Sequence, residues 1–183
     1  MNILTIFGSS RRNGNSEILT EHMLKDIPYT KIHLLNQHIV PFEDKRHSSE
    51  GFPIVEDDFE DILQSLFSHD VYVFSTPLYW YGMSGQMKLF FDRWSQYLRD
   101  ERFNFKAEMS KKKAYLVITG GGNPKIVGLP LVQQFKYIFD FVNMEFVDYI
   151  IGEGNAPGDI LRDESSLKKA LYLNESLKKQ LDS

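Results

Sequence analysis

Apolar positions along the chain fall into two alternating periods. Short runs of branched and aromatic residues at 2–7, 31–34, 71–75, 114–119 and 146–151 have the length and composition of strands. Between them apolar residues recur at helical spacing: Ile18, Leu19, His22 and Met23; Val55, Phe59, Ile62, Leu63, Leu66 and Phe67; Met87, Phe90, Phe91, Trp94 and Leu98. Leu131, Val132, Phe135, Ile138, Phe139 and Val142 continue the series, and Leu167, Ala170, Leu171, Leu177 and Leu181 close it. Strands alternating with helices predict an α/β fold whose parallel sheet is covered on both faces, a three-layer doubly wound sandwich. Lys31-Ile32-His33-Leu34 alternates polar and apolar as an edge strand does, whereas Val71-Tyr72-Val73-Phe74-Ser75 is continuous and suits the centre. No repeat or Pro/Ser-rich linker divides the chain, which reads as one domain over 1–183.

Two segments do not fit the simple alternation. Residues 36–53 are polar, contain Pro41 and Gly51, and exceed the roughly 2–6 residues of an ordinary connection, so they read as a functional or mobile loop. Met83, Leu89 and Tyr97 add apolar surface outside the stripe that contains Trp94, a surplus read as a subunit interface.

In doubly wound sheets ligands bind beyond the carboxyl ends of the strands, near the reversal of strand order. The loops after strands one, three and four therefore matter most. The first, Gly8-Ser9-Ser10-Arg11-Arg12-Asn13-Gly14-Asn15-Ser16, closes a strand and opens a helix. Its small residues, the helix N-terminus and either arginine suit a phosphate dianion. It is neither a Walker A loop nor the Gly-x-Gly-x-x-Gly fingerprint. The bland alternative is a serine turn, an N-cap at Asn15 or Ser16, and solvated arginines.

The second loop, Ser75-Thr76-Pro77-Leu78-Tyr79-Trp80-Tyr81-Gly82-Met83-Ser84-Gly85, brackets three aromatics with Pro and Gly. Flat faces of this kind suit stacking on a planar heterocycle, although Trp80 or Tyr81 could equally plug a core or an interface. The third, Thr119-Gly120-Gly121-Gly122-Asn123-Pro124, lets backbone N–H groups approach a ring oxygen, or is simply a flexible turn. A phosphate cradle, an aromatic wall and a set of backbone donors at one sheet edge match the three parts of FMN.

Charge and composition remove other classes. Lys and Arg total 21 against 25 Asp and Glu, a net −4 with Lys111-Lys112-Lys113 as the densest basic cluster, which disfavours nucleic acid as a partner. The chain has no Cys, excluding disulfides, thiolate catalysis and Cys-ligated metals or clusters. No apolar stretch reaches membrane-spanning length, and no charged region precedes the first apolar run, so a soluble cytoplasmic protein is expected. The five histidines are scattered without metal-ligand spacing, Glu56-Asp57-Asp58 and Glu60-Asp61 read as a solvated helix start, and the sequon Asn174-Glu175-Ser176 falls in a predicted helix.

The phosphate-loop string, together with Pro77-Leu78-Tyr79-Trp80-Tyr81-Gly82-Met83-Ser84-Gly85 followed by Lys88 and Phe91-Asp92-Arg93, closely resembles the flavodoxin-like NAD(P)H-dependent FMN reductase family. The resemblance spans essentially the whole chain and includes the branch related to iron–sulfur flavoproteins. It implies a five-stranded parallel sheet of order 2-1-3-4-5. It also implies FMN, with Ser9, Arg11, Asn15 and Ser16 around its phosphate and Pro77, Leu78, Tyr79, Trp80, Tyr81 and Gly82 along its ring. Ser10 belongs to the same phosphate loop, and Thr119, Gly120, Gly121 and Gly122 complete the site by position. The cluster cysteines of the iron–sulfur branch are missing; the corresponding region reads Ile39-Val40-Pro41-Phe42-Glu43-Asp44-Lys45-Arg46-His47.

The implied activity is transfer of reducing equivalents from NADPH, or NADH, through FMN to a small-molecule electron acceptor such as a quinone, azo compound, nitro compound or free flavin. A homodimer or larger assembly is implied with it. The competing classes are a flavodoxin-type electron carrier with little NAD(P)H turnover and a phosphate-responsive binding module on the same architecture.

Overall fold

The computed structural model describes residues 1–49, 51–53 and 55–181. Strands β1 (Ile3–Phe7), β2 (Thr30–His33), β3 (Val71–Pro77), β4 (Lys113–Gly120) and β5 (Glu145–Glu153) form one five-stranded sheet in the order β2-β1-β3-β4-β5. All four pairings are parallel. This is the flavodoxin-like topology, with β2 at an edge and the strand order reversing between β1 and β3. Register aligns Phe7 with His33 and with Ser75, and Pro77 with Thr119, so the chain leaves β1, β3 and β4 side by side.

Alternation within the strands sorts side chains into two cores. Tyr72 and Phe74 face one side with Leu4 and Ile6; Val71 and Val73 face the other with Ile3. The first side is covered by α2 (Phe59–Ser68), α3 (Gly85–Tyr97), the short α4 (Phe105–Met109) and α6 (Leu129–Phe141). It is strongly aromatic, with Phe74 5.3 Å from Phe91 and 5.2 Å from Phe139 between ring centroids. The second is covered by α1 (Asn15–Met23) and α7 (Glu164–Leu181) and is mostly aliphatic. The short α5 (Pro124–Val127) leads into α6.

Several expectations need correction. The apolar surplus beside the α3 stripe is not an exposed interface: Met83 and Tyr97 are buried in the protein's own core and Leu89 packs half-buried against it, with Tyr97 stacked on Phe59 at 5.1 Å and Trp94 of the stripe edge-on to Phe105 at 5.2 Å. The unforeseen α4 supplies the missing cover. On α1 the sheet-facing residues are Ser16, Leu19, Thr20 and Met23, while His22 is exposed and bonds to Ile18 O at 2.9 Å. The small Thr20 lets the helix approach closely, and its hydroxyl donates to Ser16 O at 2.7 Å while sharing a hydrogen bond with Ser75 Oγ at 3.0 Å. On α7 Leu173, Asn174 and Leu177 are buried and Leu171 is exposed. Asn174 Nδ2 donates to Met23 O and Lys25 O, closing the end of α1.

Val55 precedes α2, and Asp57 in the acidic run is not solvated. Its carboxylate is buried against the Arg93 guanidinium and accepts the Val40 N–H at 2.9 Å, while Arg93 also donates to Val40 O at 3.1 Å and lies 4.9 Å over the Phe59 ring. Burial alone would raise the Asp57 pKa; Arg93 and the N–H groups of Val40 and Phe59 outweigh it and hold the carboxyl below its ordinary value. His38 and Asp58 add a reciprocal pair, Asp58 N to His38 O at 2.9 Å and His38 N to Asp58 Oδ2 at 2.6 Å. The long loop is thus an excursion tied at its neck; Glu50 within the predicted 36–53 lies outside the described residues. Among the described residues no helix is long and apolar enough to cross a membrane.

Candidate functional site

Loop one leaves β1 through Gly8, whose N–H still completes the sheet by donating to Ser75 O at 2.8 Å. A Cβ at Gly8 would sit 2.8 Å from Ser84 Oγ and 3.0 Å from Met87 Cβ, so only glycine lets this loop pass the start of α3. Ser9 Oγ accepts the Arg11 N–H at 3.1 Å, and Asn13 turns left-handed at φ 54°. The Asn13 N–H then donates to Glu17 Oε2 at 2.7 Å, a reach back from the first turn of α1 that fixes the bend. No side chain caps α1, which begins after Gly14, so its first N–H groups remain available at the positive end of the helix. Arg11 and Arg12 are exposed, and among the described residues neither forms an ion pair.

Beneath this loop Glu17 is buried, with Oε1 3.6 Å from His33 Nε2, and the His33 ring stacks on Phe7 at 4.6 Å. Burial lowers the His33 pKa; Arg12 and Lys31 push the same way, and Glu17 and Glu21 oppose them. The half-buried His33 and buried Glu17 join the ends of β1 and β2 to the bend at Asn13.

Loop two returns to the sheet edge through Leu78 N–H, which donates to Thr119 O at 2.8 Å. Tyr79 and Gly82 exchange both backbone hydrogen bonds, at 3.0 and 2.9 Å, in a tight hairpin. Its two central residues, Trp80 and Tyr81, are left-handed at φ 50° and 63°. Aromatic residues there cost on the order of 1 kcal/mol each. Trp80 is 97% exposed, so the turn presents it outward. Ser84 then caps α3, its Oγ accepting the Met87 N–H at 3.2 Å.

Loop three packs against loop two: a Cβ at Gly120 would meet Leu78 Cβ at 3.1 Å. A fourth loop, after β5, joins them without having been expected. Gly154 N–H donates to Gly120 O at 2.8 Å, and a Cβ at Gly121 would lie 3.3 Å from Asn155 Cβ. The signal for it was present in Gly152-Glu153-Gly154-Asn155-Ala156-Pro157-Gly158, a glycine- and proline-rich stretch after the last strand.

The four loops enclose a cavity of about 180 Å³. Of the residues expected at the site, Ser9, Arg11, Asn15, Ser16, Pro77, Leu78, Tyr79, Thr119, Gly120 and Gly121 line it, together with Gly14, Gly154, Asn155 and Pro157. Ser10, Trp80, Tyr81, Gly82 and Gly122 do not. Gly122 instead borders an adjoining acidic hollow with Glu153, Asp159 and Asp163. A larger cavity of about 770 Å³ lies between the long loop and residues 96–102. Its Lys45, Arg46 and Arg102 pair with Glu43, Asp44 and Glu60, while Arg99 lines it exposed and, among the described residues, without an ion pair; unlike the four-loop cavity it is not lined by the loops that follow β1, β3, β4 and β5. Among the described residues no cluster of His, Asp or Glu is placed to hold a metal.

The donor set at the four loops fits a phosphorylated planar cofactor: an uncapped helix N-terminus and a free arginine at one end, glycine backbone and apolar walls at the other. Comparison with known proteins is consistent with this. A family model described as flavodoxin-like fold matches residues 1–175. The chain is 49% identical over 174 residues to YwqN of Bacillus subtilis, provisionally named an NAD(P)H-dependent FMN-containing oxidoreductase, covering 94% of this chain and 96% of that protein. An FMN-dependent NADH:quinone oxidoreductase of Burkholderia pseudomallei is 28% identical over 155 residues, 80% of this chain and 75% of the relative. The solved structure of a Trp repressor binding protein from Bacillus subtilis superposes with a TM-score of 0.80 at 43% identity, over 94% of this chain and 97% of that one.

Proposed function

The chain belongs to the flavodoxin-like family, and we propose that within it the protein works as an FMN-dependent oxidoreductase that takes reducing equivalents from NADPH or NADH and passes them to a small quinone, azo or flavin acceptor. The observation that carries this reading is the meeting of four loops around an uncapped helix start and an arginine free of carboxylates. Phosphate would be held by the first N–H groups of α1, with Ser9, Ser16 and Arg11 beside them; Ser10 and Asn15 belong to the same loop. Pro77, Leu78 and Tyr79 would flank the ring, with Thr119, Gly120 and Gly121 offering backbone donors along its edge. Bound FMN supplies the hydride and electron chemistry, so no side chain is required as acid or nucleophile.

The protein's own residues orient and enclose. The Glu17 carboxylate keeps the Asn13 bend, the Tyr79–Gly82 hairpin holds Trp80, Tyr81 and Gly82 at the rim, and Gly122 extends loop three toward the adjoining hollow. A role in admitting the acceptor suits Trp80 better than one in holding the cofactor, because it stands clear of the cavity. Truncating Trp80 should change acceptor turnover more than FMN affinity. A single domain, a homo-oligomer and a cytoplasmic setting complete the proposal; assembly now rests on the exposed Trp80 and Tyr81 rather than on α3, and sedimentation of wild type against Trp80→Ala tests it.

The activity test is an anaerobic absorbance spectrum of FMN-loaded protein before and after one equivalent of NADPH, then of NADH. Rapid bleaching supports the reductase. Yellow protein that stays oxidised with both nucleotides points to the electron carrier, and failure to take up FMN removes the assignment.

A further inference from the structure

Asn15 stands at the first position of α1, inside the string that implied a phosphate ligand, yet its side chain is committed elsewhere. Oδ1 accepts the N–H of Gly158 at 2.9 Å and of Ile160 at 3.4 Å, and Nδ2 donates to Ala156 O at 2.9 Å. Both lone-pair directions of the carbonyl oxygen and one amide hydrogen are therefore consumed by a segment more than 140 residues away. The segment fits closely around it: a Cβ at Gly154 would fall 2.9 Å from Asn15 Nδ2 and 2.9 Å from the Ile160 nitrogen, so glycine is needed for the backbone to pass. From its other side the loop is held by Asp159, whose Oδ2 accepts the N–H of Ala156 at 2.7 Å and of Asn155 at 3.3 Å.

This loop contributes Gly154, Asn155 and Pro157 to the cavity and runs along Gly120 and Gly121. We infer that residues 154–158 form a fourth wall of the flavin site on the side of the ring, and that Asn15 is the positioning residue that locks this wall to the phosphate loop. The inference rests on the FMN reading of the cavity and deepens it. It separates Asn15 from Arg11: the arginine lines the cavity and among the described residues has no ion-pair partner, while the asparagine acts through the loop it fastens.

Riboflavin, which has the ring but no phosphate, distinguishes the two roles. FMN and riboflavin are titrated by fluorescence into apo wild type, Asn15→Ala and Asp159→Ala, and hydrogen exchange of the Gly158 and Ile160 amides is followed without any flavin. Asp159→Ala loosens the same loop without touching the phosphate loop. The expected result is weaker binding of both flavins by a similar factor, about fivefold to tenfold, in both variants, with faster exchange at Gly158 and Ile160 in Asn15→Ala. Loss of FMN affinity alone in Asn15→Ala, with riboflavin binding and amide exchange unchanged, would overturn the inference and return Asn15 to the phosphate. Unchanged binding of both flavins in both variants would overturn it too. Wild type that binds neither flavin would instead remove the FMN reading itself, an outcome visible before any variant is compared.

Discussion

Two regions of this protein treat polar groups in opposite ways. Where α3 meets the neck of the long loop, Arg93 is buried and spent on the fold, engaged by Asp57 and Val40 O and stacked over Phe59. Lys112 behaves alike at the end of α2, donating to Phe67 O at 2.8 Å and His69 O at 2.7 Å. Where β1 passes into α1, the helix start is uncapped, Arg11 and Arg12 pair with no carboxylate among the described residues, and the adjacent hairpin holds two aromatics in left-handed backbone. Charges paired internally serve stability; charges and backbone donors left open, at some cost, serve a ligand.

The strongest way to break this contrast is at the satisfied end. Arg93→Met leaves the Asp57 carboxylate buried without its partner and should destabilise by about 3–5 kcal/mol in urea unfolding, while folded protein keeps its FMN affinity. The pH dependence has a definite sign. Asp57 has a folded pKa below its ordinary value of 3.8, so its contribution is complete above about pH 4 and fades as the pH falls further. The gap between Arg93→Met and wild type should therefore narrow on acidification, as the orphaned carboxyl takes up a proton.

Gly8→Ala touches both regimes. The added Cβ meets Ser84 Oγ and Met87, pushing loop one from the start of α3; stability should fall by about 1–3 kcal/mol and FMN affinity should fall with it. Arg11→Gln probes the open end alone: FMN should bind about tenfold more weakly, near 1.4 kcal/mol, with riboflavin affinity and melting temperature unchanged. The smallest effect belongs to Trp80→Gly in the dissociated protomer, where it relieves a left-handed residue that packs on nothing in its own chain. Stability should rise by about 1 kcal/mol or less, read from the urea midpoint.

The sequence made the framework legible because strands buried on both faces are continuous apolar runs, and the loops at their carboxyl ends carry glycine, serine and arginine in recognisable order. What it hid depended on partners distant in the chain. Ser16 and Thr20 read as polar, yet they form the close-packed face of α1 through the bond to Ser75 Oγ. Asp57 sat within an acidic run and showed no sign of Arg93, 36 positions later. Tyr97 reads as surplus because Phe59 and Phe103 converge on it only in three dimensions. The loop after β5 is hidden because its role depends on Asn15, whose place in the phosphate-loop string suggests a different task.

The central claim is that a ligand binds where polar groups are left open. Hydrogen exchange along the chain, with and without saturating FMN, measures this directly. The account predicts new protection at residues 8–16, 77–82, 119–122 and 153–160, with the neck around Val40 and Asp57 unchanged. Protection centred instead on the larger cavity between the long loop and residues 96–102 would contradict it.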